Sequence, residues 1–599
     1  MRITKFGAGM FGLLALMMYL IVACGREPTD SSPPSQTTAN PQSVSPTPQE
    51  AYNPKIGTYG GRIVLSQLAG PKGFNPVIAQ ETSTTAVTQY IFEGLTRVSG
   101  ITNEVEPALA KGWEVSEDGL TWTIYLREDV KWNDGVRFTA DDVVFTYEQL
   151  VYNKDIPSSS RDIFTIEGKE FEVTKVDEFT VTFRTPVIFA PFLRGLAQEI
   201  LPKHVLEKSV REGTFNSTWG VDSRPETIVG TGPFMLERYE SGQRVLLKRN
   251  PYYWKTDAQG NRLPYLDGII ILIVPDLDVA LLKFQEGELD VYGLRGTDYP
   301  KLKPLEQQKG FTVYRTGPDF GTNFVVFNQN PEKNPETGRP YLAPKKLKWF
   351  TNVKFRQAVA YALDRQGMID TVLNGLGYPQ YSPLSPSAGF FYNPDVVKYP
   401  YDPERARKLL AETGFSDKNG DGFVEDPAGN TVEFNLYTNA ENTVRMQIAS
   451  IIKDDLEEIG MKVNFTALEF NNIVDKLMAT FDWEGILLGL TGGTEPHFAK
   501  NVWHSSGQLH EWYPRQKKPA TEWEARIDEI FEQAVQTLDR QERKRLYDEW
   551  QLIVSQQVPV IYTVLPEVIL AVRNRFGNLY PTAFGGALHN IEEMYIVQP

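Results

Sequence analysis

Three of the five histidines in this 599-residue chain, His497, His504 and His510, fall within fourteen positions, and Glu495 and Glu511 flank them. Imidazole and carboxylate together could ligate zinc or move protons. The spacings of seven and six residues match neither a closed metal site nor the three- or four-residue pairing of a helix face. Loop residues lining a pocket, or plain surface polarity, are the expectation, and no metal is assigned. Asp417-Lys-Asn419-Gly-Asp421-Gly422 has the first half of a calcium loop, but the twelfth position is Ala428 instead of a bidentate glutamate. A glycine-rich connection into a strand at Val432–Tyr437 is favoured there. There is no GxSxG, HExxH or phosphate-loop lysine. The GxGxxG at Gly7–Gly12 follows no strand, so a dinucleotide site is rejected. With 76 acidic side chains, no carboxylate pair for glycoside hydrolysis can be singled out. No catalytic residue and no cofactor is assigned.

The stronger site argument is geometric. Lys462–Leu468 alternates as a strand, Phe470–Thr480 has helical character, and Gly485–Leu490 is a solidly apolar strand, an order that suggests a parallel α/β unit. Ligands of open α/β sheets bind beyond the carboxyl ends of the strands. The apolar strand empties into Thr491-Gly492-Gly493-Thr494-Glu495-Pro496, whose glycines permit close backbone approach. Leu490, Thr491, Gly492, Gly493 and Glu495 are therefore candidate ligand contacts. Trp503 and His504 are candidate pocket walls, as is Trp512.

The elements that must position this loop follow from pattern. Gly61–Leu68 is a strand, Gly73-Phe74-Asn75-Pro76 a turn, and Ser83–Phe92 a helix. Thr139-Ala140-Asp141-Asp142 has capping-box spacing before a helix that buries Val143, Tyr147, Leu150 and Val151. Gly230, Gly232 and Pro233 make a tight entry into a hairpin, Phe234–Tyr239 and Arg244–Arg249, turned at Ser241-Gly242. Asn352–Thr371 reads as one helix, and Asp402-Pro403-Glu404 starts another that ends at Gly414. Asn442–Ile459 is a third, and helices over 521–538 and 540–556 lead into strand-like Val558–Val572.

Composition sets outer limits. A chain this long exceeds one core, so two or more lobes are expected. A formal net charge of −15 argues against a nucleic-acid partner. Arg2 and Lys5 precede an apolar run, Phe6–Val22, that is short for a membrane span and ends at the chain's one cysteine, Cys24. Residues 26–54 are rich in Pro, Ser, Thr and Gln and are expected to form a tether with a reach of roughly 30 Å.

The GTGPF entry, its hairpin and the closing NPYYW resemble the signature of family 5 extracellular solute-binding proteins, the peptide- and nickel-binding components of ABC importers. Trp113–Glu148 (WEVSEDGLTWTIYLREDVKWNDGVRFTADDVVFTYE) and Asn352–Thr371 carry the same resemblance. It implies a type II periplasmic-binding-protein-like α/β fold with a subdomain inserted in the first lobe. The expected division is a leader over 1–23, a tether over 24–54, and lobe I over 55–320. Lobe I would hold its insert at about 87–222 and be completed by 561–599, with lobe II over 321–560. The resemblance further implies capture of a peptide-like ligand without chemistry, a permease and its ATPase subunits as partners, and a monomer. A surface-anchored hydrolase of glycans or peptides is the alternative. Val22-Ala23-Cys24 resembles a lipobox, which implies lipidation of Cys24 and anchoring to a bacterial membrane in the periplasm or at the cell surface. Phe74, Gly230, Thr231 and Gly232 are expected to face the cleft opposite Thr491–Glu495. In the family's peptide binders an aspartate after the apolar strand pairs with the ligand's amino group; here Gly492 and Gly493 stand at those positions.

Overall fold

The hairpin forms as its turn chemistry dictates: Phe234–Glu240 pairs antiparallel with Arg244–Arg249, and Gly242 takes φ +69° between them. Gly268–Ile273 adds to the hairpin and pairs in parallel with Arg62–Gln67, giving a four-stranded sheet. This is a computed structural model, describing residues 52–597 apart from 80, 81, 159, 167, 441 and 508. The leader, Cys24 and nearly all of the tether lie outside the described residues.

The expected helix at Ser83–Phe92 spans only Thr82–Thr88. It stops because the carbonyls of Tyr90 and Ile91 accept hydrogen bonds from the N–H groups of Phe234 (3.0 Å) and Gly232 (2.8 Å). Beyond it an antiparallel sheet runs in the order Ala110–Val115, Thr121–Leu126, Thr180–Arg184, Glu172–Asp177. Its helix starts as the capping box requires, Thr139 N–H donating to the Asp142 carboxylate at 3.0 Å. The last part, Phe145–Val151, widens so that Tyr152 N–H reaches back five residues to Tyr147 O. Val143, Tyr147, Leu150 and Val151 are all buried.

The second lobe is built on a five-stranded sheet in the order Lys462–Leu468, Glu433–Asn439, Gly485–Leu490, Thr322–Phe327, Val560–Tyr562. The first three strands are parallel and the last two alternate against them. Their carboxyl ends, Leu468, Asn439 and Leu490, therefore share one edge with Thr322, the amino end of the fourth. One face packs on the helices Val353–Ala362 and Thr443–Glu458; the other packs Ile486 and Leu488 with Trp503, Trp512 and Trp550.

The chain passes between lobes along extended strands. Phe311–Pro318 belongs to a sheet with Val291–Leu294 and Val564–Arg573, and after three intervening residues the chain enters the five-stranded sheet at Thr322. It returns at Thr563. The strand expected over Val558–Val572 is accordingly two strands in two sheets. Thr563 ties the crossings together, donating from both N–H (2.8 Å) and Oγ1 (3.0 Å) to Asn323 O. Asn352–Thr371 is likewise two helices: Leu363 is extended, and Asp364 caps the second by accepting from Gly367 N–H at 2.8 Å. The lobes also meet where Val535 joins the core of the insert and Arg540 pairs with Glu104 at 2.7 Å.

Candidate functional site: the cleft at the lobe crossing

A cavity of about 480 Å³ opens where the shared strand edge meets the first crossing. Asp319, Phe320, Thr322 and Asn323 come from the crossing, Leu490, Thr491 and Gly492 from the loop after the apolar strand, and Phe584 from the C-terminal segment. Arg445 completes the wall. Asn442 accepts from Arg445 N–H at 2.9 Å and so caps the helix Thr443–Glu458. That cap places Arg445 in the first helical turn, at the strand edge.

The Arg445 side chain is half-buried and has only neutral partners. Its Nε donates to Asn323 Oδ1 at 3.1 Å and its Nη1 to Asn439 Oδ1 at 3.3 Å. Burial lowers its pKa from the usual guanidinium value. Among the described residues no carboxylate pairs with it. Among the described residues Asp319 is the one carboxylate lining the cavity, and one of its oxygens accepts from Phe320 N–H at 2.7 Å. Hydrolysis by a carboxylate pair needs two such groups flanking the scissile bond. Backbone groups at the strand ends, one guanidinium, one carboxylate and the polar side chains of Thr322, Asn323 and Thr491 are the polar equipment among the described lining residues, with Phe320 and Phe584 packed edge to face at 5.3 Å.

The expected site residues divide in two. Leu490, Thr491 and Gly492 line the cavity. Gly493 is exposed in the same loop with open space at its Cβ position, whereas a Cβ on Gly492 would lie 1.6 Å from Phe320 O. The close approach that requires glycine at 492 is therefore made by the crossing. Glu495 is buried, and Arg543 holds it at 2.5 Å. Phe74, Gly230, Thr231 and Gly232 do not line the cavity and are buried in lobe I. A Cβ on Gly230 or Gly232 would meet the carbonyl of Ile91 or Tyr90 at 2.0 or 2.6 Å, so these glycines serve packing. Trp503 is likewise core, 5.5 Å from Trp512 and 5.4 Å from Trp550.

The three histidines have three separate surroundings. His497 is packed edge to face on Phe189 at 5.5 Å; burial, then Lys500 and Arg543, push its pKa down to about 3. His504 pairs with Glu532 at 3.4 Å. His510 is fully buried, with Nδ1 3.1 Å from Val502 O and Nε2 3.6 Å from Glu524. In the glycine-rich connection, Asp417 and Asp421 are joined by Glu425, the ninth position, with ligand atoms within 4.8 Å of one another. Their oxygens already accept hydrogen bonds from Gly420, Gly422, Phe423, Lys418 and Asn419 within the loop.

Asp319–Asn323 and Arg445 escaped the sequence reading. The first is the break between two strand-like runs, and its meaning depends on which sheet each run joins. A usable signal for Arg445 was its place one turn into a helix that follows a strand, the same strand edge that located Leu490.

Residues 104–508 match the family model described as bacterial extracellular solute-binding proteins, family 5 middle. The chain belongs to this family. A probable ABC transporter-binding protein of Deinococcus radiodurans is 35% identical over 72% of this chain and 74% of its own length. Oligopeptide-binding protein AppA of Bacillus subtilis is 26% identical over the whole of both chains. Its structure in complex with a nonapeptide superposes with a TM-score of 0.70, covering 90% of this chain and all of that one. Heme-binding protein A of Haemophilus influenzae is 28% identical over 87% of this chain and 90% of its own. This solute-binding protein thus has the two-lobed type II periplasmic-binding fold. No helix among its described residues is long and apolar enough to cross a membrane.

Proposed function

We propose that this protein is the capturing component of an ABC importer, taking a peptide-like solute into its interlobe cleft and passing it to a membrane permease with its ATPase subunits. The observation that carries the reading is that Arg445 and Asp319 both line one cavity, neither with an oppositely charged partner among the described residues. A guanidinium binds a carboxylate through parallel N–H donors, and a carboxylate accepts from an ammonium group. A zwitterion with a peptide backbone fits that equipment. Strand-end carbonyl and N–H groups are suited to pair with the backbone between its ends. The likeness to AppA, solved with a nonapeptide, supports the same class. The relative named for haem shows that family membership alone leaves the ligand open.

Binding works by population shift. The lobes are linked by strands that cross at Asp319–Gly321 and at Thr563, and a ligand touching both lobes adds contacts available only when they close. The division is lobe I over 55–320 with its insert and 561–599, and lobe II over 321–560. Residues 1–23 are removed as a leader, and lipid on Cys24 holds the monomeric body to a bacterial membrane through the tether over 24–54. Titration calorimetry with short peptides, their C-terminal amides, an oligosaccharide and haem tests the ligand class. Peptides with a free carboxylate should bind and survive unchanged. Saturable binding of the sugar or haem alone, or release of hydrolysis products, would overturn it.

A further inference from the structure

Gly489 and Leu490 line a second cavity as well as the cleft. It measures about 200 Å³ and is walled by Phe470, Val474 and Leu477 from the helical segment before the apolar strand, by Leu488, and by Glu511. An apolar cavity of about 150 Å³ is enough to hold a benzene ring. Two features set this one apart from a packing fault. Its rim is open, with Phe470 and Val474 exposed at 45% and 38%. Its one carboxyl, on Glu511, is buried, and Oε2 has no hydrogen-bond partner among the described residues.

A buried polar atom left without a partner is costly, and a guest that supplies one recovers that cost. Burial also pushes Glu511 up to about 8. At neutral pH it is therefore an uncharged acid, suited to a neutral hydroxyl and poorly suited to an ammonium group among apolar walls. We propose that this pocket is a specificity subsite for a ring bearing a hydroxyl, the tyrosine side chain of a peptide lying in the cleft, with Glu511 hydrogen-bonding the phenol. The peptide part of this statement rests on the function proposed above; the pocket part stands without it. A site built to bond a hydroxyl discriminates strongly against the analogue that lacks it.

The two parts are separable by experiment. Binding of p-cresol and of toluene to the full chain is measured by ligand-observed NMR and calorimetry, beside tyrosine- and phenylalanine-containing peptides. p-Cresol should bind at least about tenfold tighter than toluene. Glu511→Leu should reverse that preference, and Val474→Phe, a change at the half-exposed rim, should abolish binding of both. Binding of neither ring, equal binding of both, or indifference to Val474→Phe overturns the subsite. If p-cresol binds as stated but no peptide does, the pocket stands and the peptide reading falls. If peptides bind without preference for tyrosine and p-cresol does not bind, the cleft reading stands and the subsite falls.

Discussion

Replacing Arg445 with methionine removes the one guanidinium among the described residues lining the cleft while keeping much of the side chain's apolar bulk. In the structure Nε and Nη1 donate to Asn323 and Asn439, and Nη2 lies over Gly489, where a Cβ would be only 2.1 Å away. Nη2 donates to no group among the described residues, so it is available to a ligand carboxylate. A hydrogen bond to a charged group is worth about 1.5–3 kcal/mol. The variant should then bind a peptide about 10- to 150-fold more weakly than the parent. The loss should be larger for the free acid: a C-terminally amidated peptide should lose less affinity, since it offers the guanidinium a neutral oxygen in place of a carboxylate. Titration calorimetry of the four combinations gives the coupling directly. Equal losses for acid and amide, or no loss for either, would refute the assignment of Arg445 to a carboxylate. Thermal stability should fall slightly, because the Asn323 amide lines the cleft and can turn to water, whereas the buried Asn439 amide loses a donor.

Three further outcomes follow from named contacts. Arg543→Met leaves the Glu495 carboxylate buried without its 2.5 Å partner, which should cost about 3–5 kcal/mol in denaturant unfolding, with much of it restored in the Arg543→Met/Glu495→Leu double variant. Gly492→Ala drives a methyl group to 1.6 Å from Phe320 O, so it should lower stability by about 1–3 kcal/mol and weaken ligand binding more than Gly493→Ala, measured by melting and calorimetry. Glu511 has a folded pKa raised by burial to about 8 against an ordinary 4.5, so the folded state holds its proton over an interval where the unfolded chain has lost it. Its contribution is complete below about 4.5 and is lost as pH rises toward 8, so Glu511→Gln should flatten the fall in stability over that window. The groups around it are His510, which shares the pocket wall, and Tyr562, pushed well up by burial and then by Glu511. An unchanged pH profile in the variant would contradict the assignment.

Much of the architecture was legible because local chemistry and global fold agree. The Thr139 capping box, the Gly242 turn and the Asp402 cap each form as written in the chain. The apolar strand Gly485–Leu490 ends at the sheet edge where the cavity lies. The misses share a cause. Glycine has two uses that look alike in sequence: Gly230 and Gly232 admit the carbonyls of Tyr90 and Ile91, and Gly492 admits that of Phe320, where a ligand had been expected. Tryptophan is ambiguous in the same way, and Trp503 is core. Thr563 reads as one more residue of a strand, because the change from one sheet to another depends on partners 240 residues away at Asn323.

Mass spectrometry of small molecules released on denaturing the purified protein is the sharpest test of peptide capture. Peptides with a free carboxylate should be recovered from the parent protein and lost from the Arg445→Met preparation. Recovery of a sugar or a haem, or the same peptides at equal occupancy from the variant, would contradict it.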